Sequence, residues 1–155
     1  MKALILIPAL YFLLNTASYA QMQMLDNKSA PVTVGKVSIS GILRSELRYE
    51  VSTDTIYKWI YRNENAKVSN VYKYISFSGK DNAVNMLYAT LKNFWSEENR
   101  KKATKQVQKT FKLGEVEVVV ENHRMYGRTQ IFVHTPDGSF ALYEKDIDPL
   151  FGKGG

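Results

Sequence analysis

EVEVVVENHRMYGRTQIFVHTPDGSFALY, residues 115–143, is the stretch that decides the fold class. Val116, Val118 and Val120 fall on one side, and Glu117 and Glu121 on the other. A period of two built on β-branched residues is the pattern of a half-buried strand. Tyr126-Gly127 can turn the chain, and Thr129 to His134 returns as a second strand. Pro136-Asp137-Gly138 turns it again, because proline fixes the turn entry and glycine accepts positive φ. Ser139 to Tyr143 completes an expected antiparallel meander.

Upstream lies the strongest helical pattern. Val84, Leu87, Tyr88, Leu91, Phe94 and Trp95 fall within about 120° of one another on a helical wheel. Ser78 and Asp81 stand where side chains cap a helix start. Ser96-Glu97-Glu98 resembles a second start, with acids near the positive end of the helix dipole. Ala103, Val107 and Phe111 form another stripe, more than about 100° from the first on a straight helix. A break near Ser96 follows. The expected fold is α+β: an antiparallel sheet packed against one long or bent central helix pair. Leu87, Leu91, Trp95, Val118, Val120 and Val133 are its expected core.

The first half of the chain is less regular. Val37 and Ile39 alternate with Lys36, Ser38 and Ser40, which predicts a strand over Val32 to Ser40 stopped by Gly41. Ile42 to Val51 fits one helical face through Ile42, Leu43, Leu47 and Val51, or a strand through Leu47, Tyr49 and Val51. Ser52-Thr53-Asp54 offers helix-capping side chains, and Ile56, Trp59 and Ile60 follow at helical spacing up to Asn63-Glu64-Asn65. Val71 to Phe77 predicts a strand with Tyr72 and Tyr74 on one side and Ile75 and Phe77 on the other.

Residues 1–20 read as a secretory signal peptide. Lys2 supplies a positive start, Ala3 to Leu14 is almost unbroken apolar sequence, and Ser18-Tyr19-Ala20 places small residues where a signal peptidase cuts. The apolar run is shorter than the roughly 20 residues of a spanning helix, and no second stretch reaches that length. Expected boundaries are a signal peptide over 1–20, a flexible leader over 21–31, one domain over 32–151 and a tail over 152–155. The expected location is outside the cytoplasm, periplasmic or extracellular. With no cysteine in the chain, disulfides, thiolate metal sites and cysteine nucleophiles are excluded. A formal net charge of +6 favours anionic partners.

Two groups of residues are candidates for chemistry. If Tyr126-Gly127 is a two-residue loop, Val120 opposes Val133 and Asn122 opposes Ile131, so Glu121, His123, Gln130 and His134 share the polar face. A carboxylate there could orient an imidazole for acid–base work, or the group could hold a metal. The second group is basic. Arg100, Lys101, Lys102, Lys105, Lys109 and Lys112 occur with no acidic residue from Asn99 to Gly114. On a helix, Lys101, Lys105, Lys109 and Lys112 share one face, suited to an anionic surface or an acidic protein. In Ile56 to Arg62, Tyr57, Trp59 and Tyr61 would stack on sugar rings if exposed, whereas Trp59 and Ile60 fill the core if buried.

No nucleophile elbow, zinc pair or phosphate loop is present. The leading expectation is a small exported non-enzymatic protein that binds a partner or an anionic ligand, without a cofactor. A small hydrolase using Glu121, His123 and His134 is one alternative. A nucleic-acid binder acting through a basic helix over 100–112 is the other.

Overall fold

The computed structural model describes residues 29–101, 107–125 and 128–154. The expected signal peptide, Ala103, Lys105 and the Tyr126-Gly127 loop lie outside these residues. Four strands come first: β1 (Val32–Ile39), β2 (Ile42–Val51), β3 (Thr55–Arg62) and β4 (Tyr72–Ser78). Helix α1 (Ala83–Lys92) runs into a 3-10 turn over Asn93–Trp95 and then the short α2 (Glu97–Lys101). Four more strands follow: β5 (Gln108–Leu113), β6 (Val116–Met125), β7 (Arg128–Thr135) and β8 (Gly138–Tyr143), before helix α3 (Glu144–Leu150). Each set of strands forms an antiparallel sheet in sequential order, β1-β2-β3-β4 and β5-β6-β7-β8. The chain is thus α+β, with two four-stranded meanders and one bent helix rather than a single sheet.

The expected helix after Ser52 is strand β3. Leu47 faces Trp59 and Tyr49 faces Tyr57 across the β2–β3 ladder, which also settles Ile42 to Val51 as strand. Ser52 to Asp54 closes this hairpin instead of capping a helix. Alternation wins because Tyr57, Trp59 and Tyr61 share one face of β3, and ladders on both sides satisfy its backbone. Trp59 is 0% exposed and Tyr61 1%, so neither is available to stack on a sugar. The Trp59 indole N–H donates to Ser45 Oγ at 2.8 Å, giving a buried donor its partner.

Apolar residues of both meanders, α1 and α3 meet in one core. Phe140 of β8 stacks on Tyr61 at 4.4 Å and meets Trp59 edge-on at 5.1 Å. All six expected core residues are buried in this cluster. The Tyr61 hydroxyl bonds the Thr135 hydroxyl at 2.7 Å, and Glu64 N–H donates to the Ser139 carbonyl at 2.8 Å, so polar ties also join the sheets.

The chain after Trp95 bends as expected, with Ser96 extended at ψ 154°. The capping expectation holds only in part: Ser78 Oγ accepts from the Lys80 N–H at 3.2 Å, at a 3-10 turn over Lys80–Asn82, but Asp81 sits at φ 54° inside that turn and α1 begins after Asn82 with no side-chain cap. Asp148-Pro149 does not end ordered structure but lies in α3, a helix that the sequence patterns did not announce. Tyr143 N–H donates to Asp146 at 2.9 Å to start it, and Ile147, Leu150 and Phe151 are buried. Gly35 permits this docking, because a Cβ there would lie 2.0 Å from the Pro149 carbonyl. No described helix is long and apolar enough to cross a membrane.

Candidate functional site

The β6–β7 register is the one a two-residue loop predicts, with Val120 opposite Val133 and Asn122 opposite Ile131. It brings the expected polar group together. One Glu121 oxygen, Oε1, lies 2.9 Å from His123 Nε2 and 3.1 Å from His134 Nε2. The imidazoles flank Phe132, with His123 edge-on at 5.0 Å and His134 stacked at 6.2 Å. Gln130 departs from the group in being buried, at 6% exposure. Among the described residues, no cluster of three or more His, Asp or Glu has the arrangement of a metal site. The carboxylate orients both rings, but the face is an open sheet surface, with His123 and His134 side chains 45% and 41% exposed.

The basic helix over 100–112 is corrected. Gln108 to Leu113 is strand β5, paired with β6. Alternation therefore puts Lys109 and Lys112 on opposite faces. Lys109 sits over the Phe94 ring at 5.7 Å, while Lys112 is exposed. Phe111 and Val107 pack against the core from the strand and its approach, not from a helical stripe. Lys101 ends α2, and Lys105 lies outside the described residues.

A different basic site appears at the tip of β6 and β7. The inward face of this hairpin carries Val118, Val120, Ile131 and Val133, and near its end the same face reaches Arg124 and Thr129. There the core gives way to a cavity of about 1080 Å³. Arg124, Arg128 and Thr129 line it from the hairpin, Lys92 and Trp95 from the end of α1 and its 3-10 turn, and Tyr143, Glu144, Lys145 and Asp148 from the start of α3, so that four cations face two carboxylates. Ile39 and Tyr143 also line a second cavity of about 390 Å³, which adds Arg44 and Arg62. The two adjoin at these shared residues, and the groove they line carries six cations together with the carboxylates of Glu144 and Asp148.

Pairing divides these cations. Arg44 bonds Glu64 at 2.9 Å and lies over the Tyr143 ring at 5.4 Å. Asp148 accepts from the Tyr88 hydroxyl at 2.8 Å and from Lys92 at 3.2 Å. These bonds, the one from Tyr88 first, hold its carboxyl below the usual carboxylate range and raise the Tyr88 hydroxyl in turn. Among the described residues, Arg62, Arg124, Arg128 and Lys145 make no ion pair within 4.0 Å.

No family model, curated protein or solved structure matches this chain. Sequence reasoning missed the groove because its cations come from five separate elements, β2, β3, α1, the β6–β7 hairpin and α3. The one local signal was Arg124 and Arg128 on either side of the expected Tyr126-Gly127 turn. Chemically, guanidinium and ammonium groups around a hydroxyl-bearing groove suit a carboxylate, phosphate or sulfate through charge-assisted hydrogen bonds. The histidines lie elsewhere: His123 is on the face of β6 opposite Arg124, outside this groove.

Proposed function

We propose that the chain is a small exported, non-enzymatic protein that binds an anionic ligand in the groove between the β6–β7 tip, the end of α1 and the start of α3. The supporting observation is the convergence of Arg124, Arg128, Lys92 and Lys145 on one cavity large enough for a small molecule. Stretches far apart in sequence meet there, so a uniform scatter of solvated lysines does not account for it. Export rests on the apolar run and small residues of 1–20.

Titration calorimetry with inorganic tripolyphosphate tests this reading. Wild type should bind, and binding should weaken as salt screens the charges. Arg124→Gln with Arg128→Gln should reduce affinity by about tenfold or more. Lys112→Gln, on the exposed face of β5, should leave it unchanged. Equal binding by all three proteins would remove the groove from the account.

The hydrolase reading keeps one favourable observation, the shared Glu121 oxygen between His123 and His134. A hydrolytic activity lost in His134→Ala and kept in the Arg124/Arg128 double variant would favour it over ligand binding.

A further inference from the structure

The β1–β2 hairpin ends in Ile39-Ser40-Gly41-Ile42, with an isoleucine on each side of the turn. Ser40 at φ 51° and Gly41 at φ 79° make the turn tight. Ile39 is 44% exposed and Ile42 41%, and a Cβ added to Gly41 would meet nothing within 4 Å. The turn itself therefore has open space around it, and its two isoleucines sit at the edge of the groove. An aliphatic pair at the end of a hairpin contributes nothing to the core and costs solubility.

Its surroundings give it a chemistry. Ile39 lines both cavities of the groove, and Ile42 lines the second beside Arg44 and Arg62. Lys92, Arg124, Arg128 and Lys145 stand around the first, outnumbering the carboxylates of Glu144 and Asp148 there. Two protruding aliphatic side chains ringed by cations match a surface whose apolar layer lies just beneath an anionic one. Isoleucine neither hydrogen-bonds a sugar nor stacks on a base, so a glycan or nucleic acid would use the cations and leave the tip idle. A bilayer uses both, with aliphatic burial added to attraction for anionic head groups.

We infer that the β1–β2 tip docks this protein on an anionic lipid surface, with Ile39 and Ile42 entering the head-group boundary and the groove cations holding phosphates above it. This rests on the anion-binding reading of the groove and names its ligand as lipid.

The absence of cysteine makes a site-specific test direct. Ile42→Cys and Val51→Cys, at opposite ends of β2, are each labelled in the full chain with an environment-sensitive fluorophore. The strand separates them by roughly 30 Å. Vesicles of phosphatidylglycerol with phosphatidylcholine, and of phosphatidylcholine alone, are titrated in. The account expects a blue shift from the Ile42→Cys label on anionic vesicles alone, and none from the Val51→Cys label. Adding Arg124→Gln and Arg128→Gln should weaken the response by roughly fivefold per charge, and Ile39→Ser by roughly tenfold. Equal shifts from both labels, or none from either, overturn docking through the tip. Tripolyphosphate binding with no response at the tip would leave the anion-binding groove standing and reject the lipid. Failure of both would reject the groove as well.

Discussion

The two meanders share a strand order, yet they treat charge differently. On the outward face of the first sheet, two carboxylates each hold a cation in place, while Arg62 at the end of β3 lines the groove. Glu46 accepts from Arg48 and from Thr33, both at 2.8 Å, and Glu50 accepts from Lys58 at 2.8 Å. The second sheet puts a carboxylate between two imidazoles on its outward face and sends Arg124 and Arg128 to its tip. Basic composition is common to both regions. Pairing separates them: a cation bound to a neighbouring carboxylate has its field spent locally, whereas cations spaced around a cavity sum their fields within it.

The largest expected effect lies where the meanders are alike, in the shared core. Trp59→Ala should destabilise by about 3–5 kcal/mol, since it removes a buried indole and leaves Ser45 without its donor. Ile131→Ala, on the inward face of the second sheet, should cost about 2–5 kcal/mol. Denaturant unfolding followed by fluorescence and by circular dichroism should give one coincident transition in both variants. Separate transitions would mean that the two sheets fold as independent units.

Tyr61→Phe probes a polar tie between them. It removes the bond to Thr135 while keeping the ring stacked on Phe140, so a loss of about 0.5–1.5 kcal/mol is expected in urea melts. No loss would show that this bond adds nothing to the packing that joins the sheets.

Legibility followed the same division between regions. The second sheet could be read from residues 115–143 because its apolar and charged residues alternate and its turns carry glycine. Its register even placed Glu121, His123 and His134 together. In the first sheet, Ile56 and Ile60 lie on the outward face of β3 and Trp59 on the inward one. That arrangement reproduces helical spacing, and Ser52-Thr53-Asp54 imitates a helix cap. Lys109 and Lys112 misled in the same way, since a spacing of three suits a helix face but splits across a strand. The groove was illegible because it is a tertiary feature. No window of sequence shows Lys92, Arg124 and Lys145 meeting.

A smaller effect concerns acid. The folded-state carboxyl of Asp148 titrates below its ordinary range because Tyr88 and Lys92 bond its charged form. Its contribution to stability is therefore full above about pH 3.9 and is lost as pH falls through the lower folded value. Asp148→Asn should flatten that acid limb in thermal melts taken between about pH 5 and pH 2. An unchanged limb would show that this bond has no share in acid sensitivity. Smallest of all, Lys58→Ala should cost only about 0–1 kcal/mol, as for other partly exposed pairs.

The two tryptophans offer the most direct test of the central claim, because one sits in each setting. The Trp59 indole N–H is buried on Ser45, whereas the Trp95 indole N–H bonds the Thr129 carbonyl at 3.3 Å beside the groove. In a proton–nitrogen correlation spectrum of the full chain, tripolyphosphate should move the Trp95 indole signal together with the amides of Thr129 and Tyr143. The Trp59 signal should stay in place. Shifts confined to Lys109 and Lys112, or an unmoved Trp95 signal at saturating tripolyphosphate, would contradict the account.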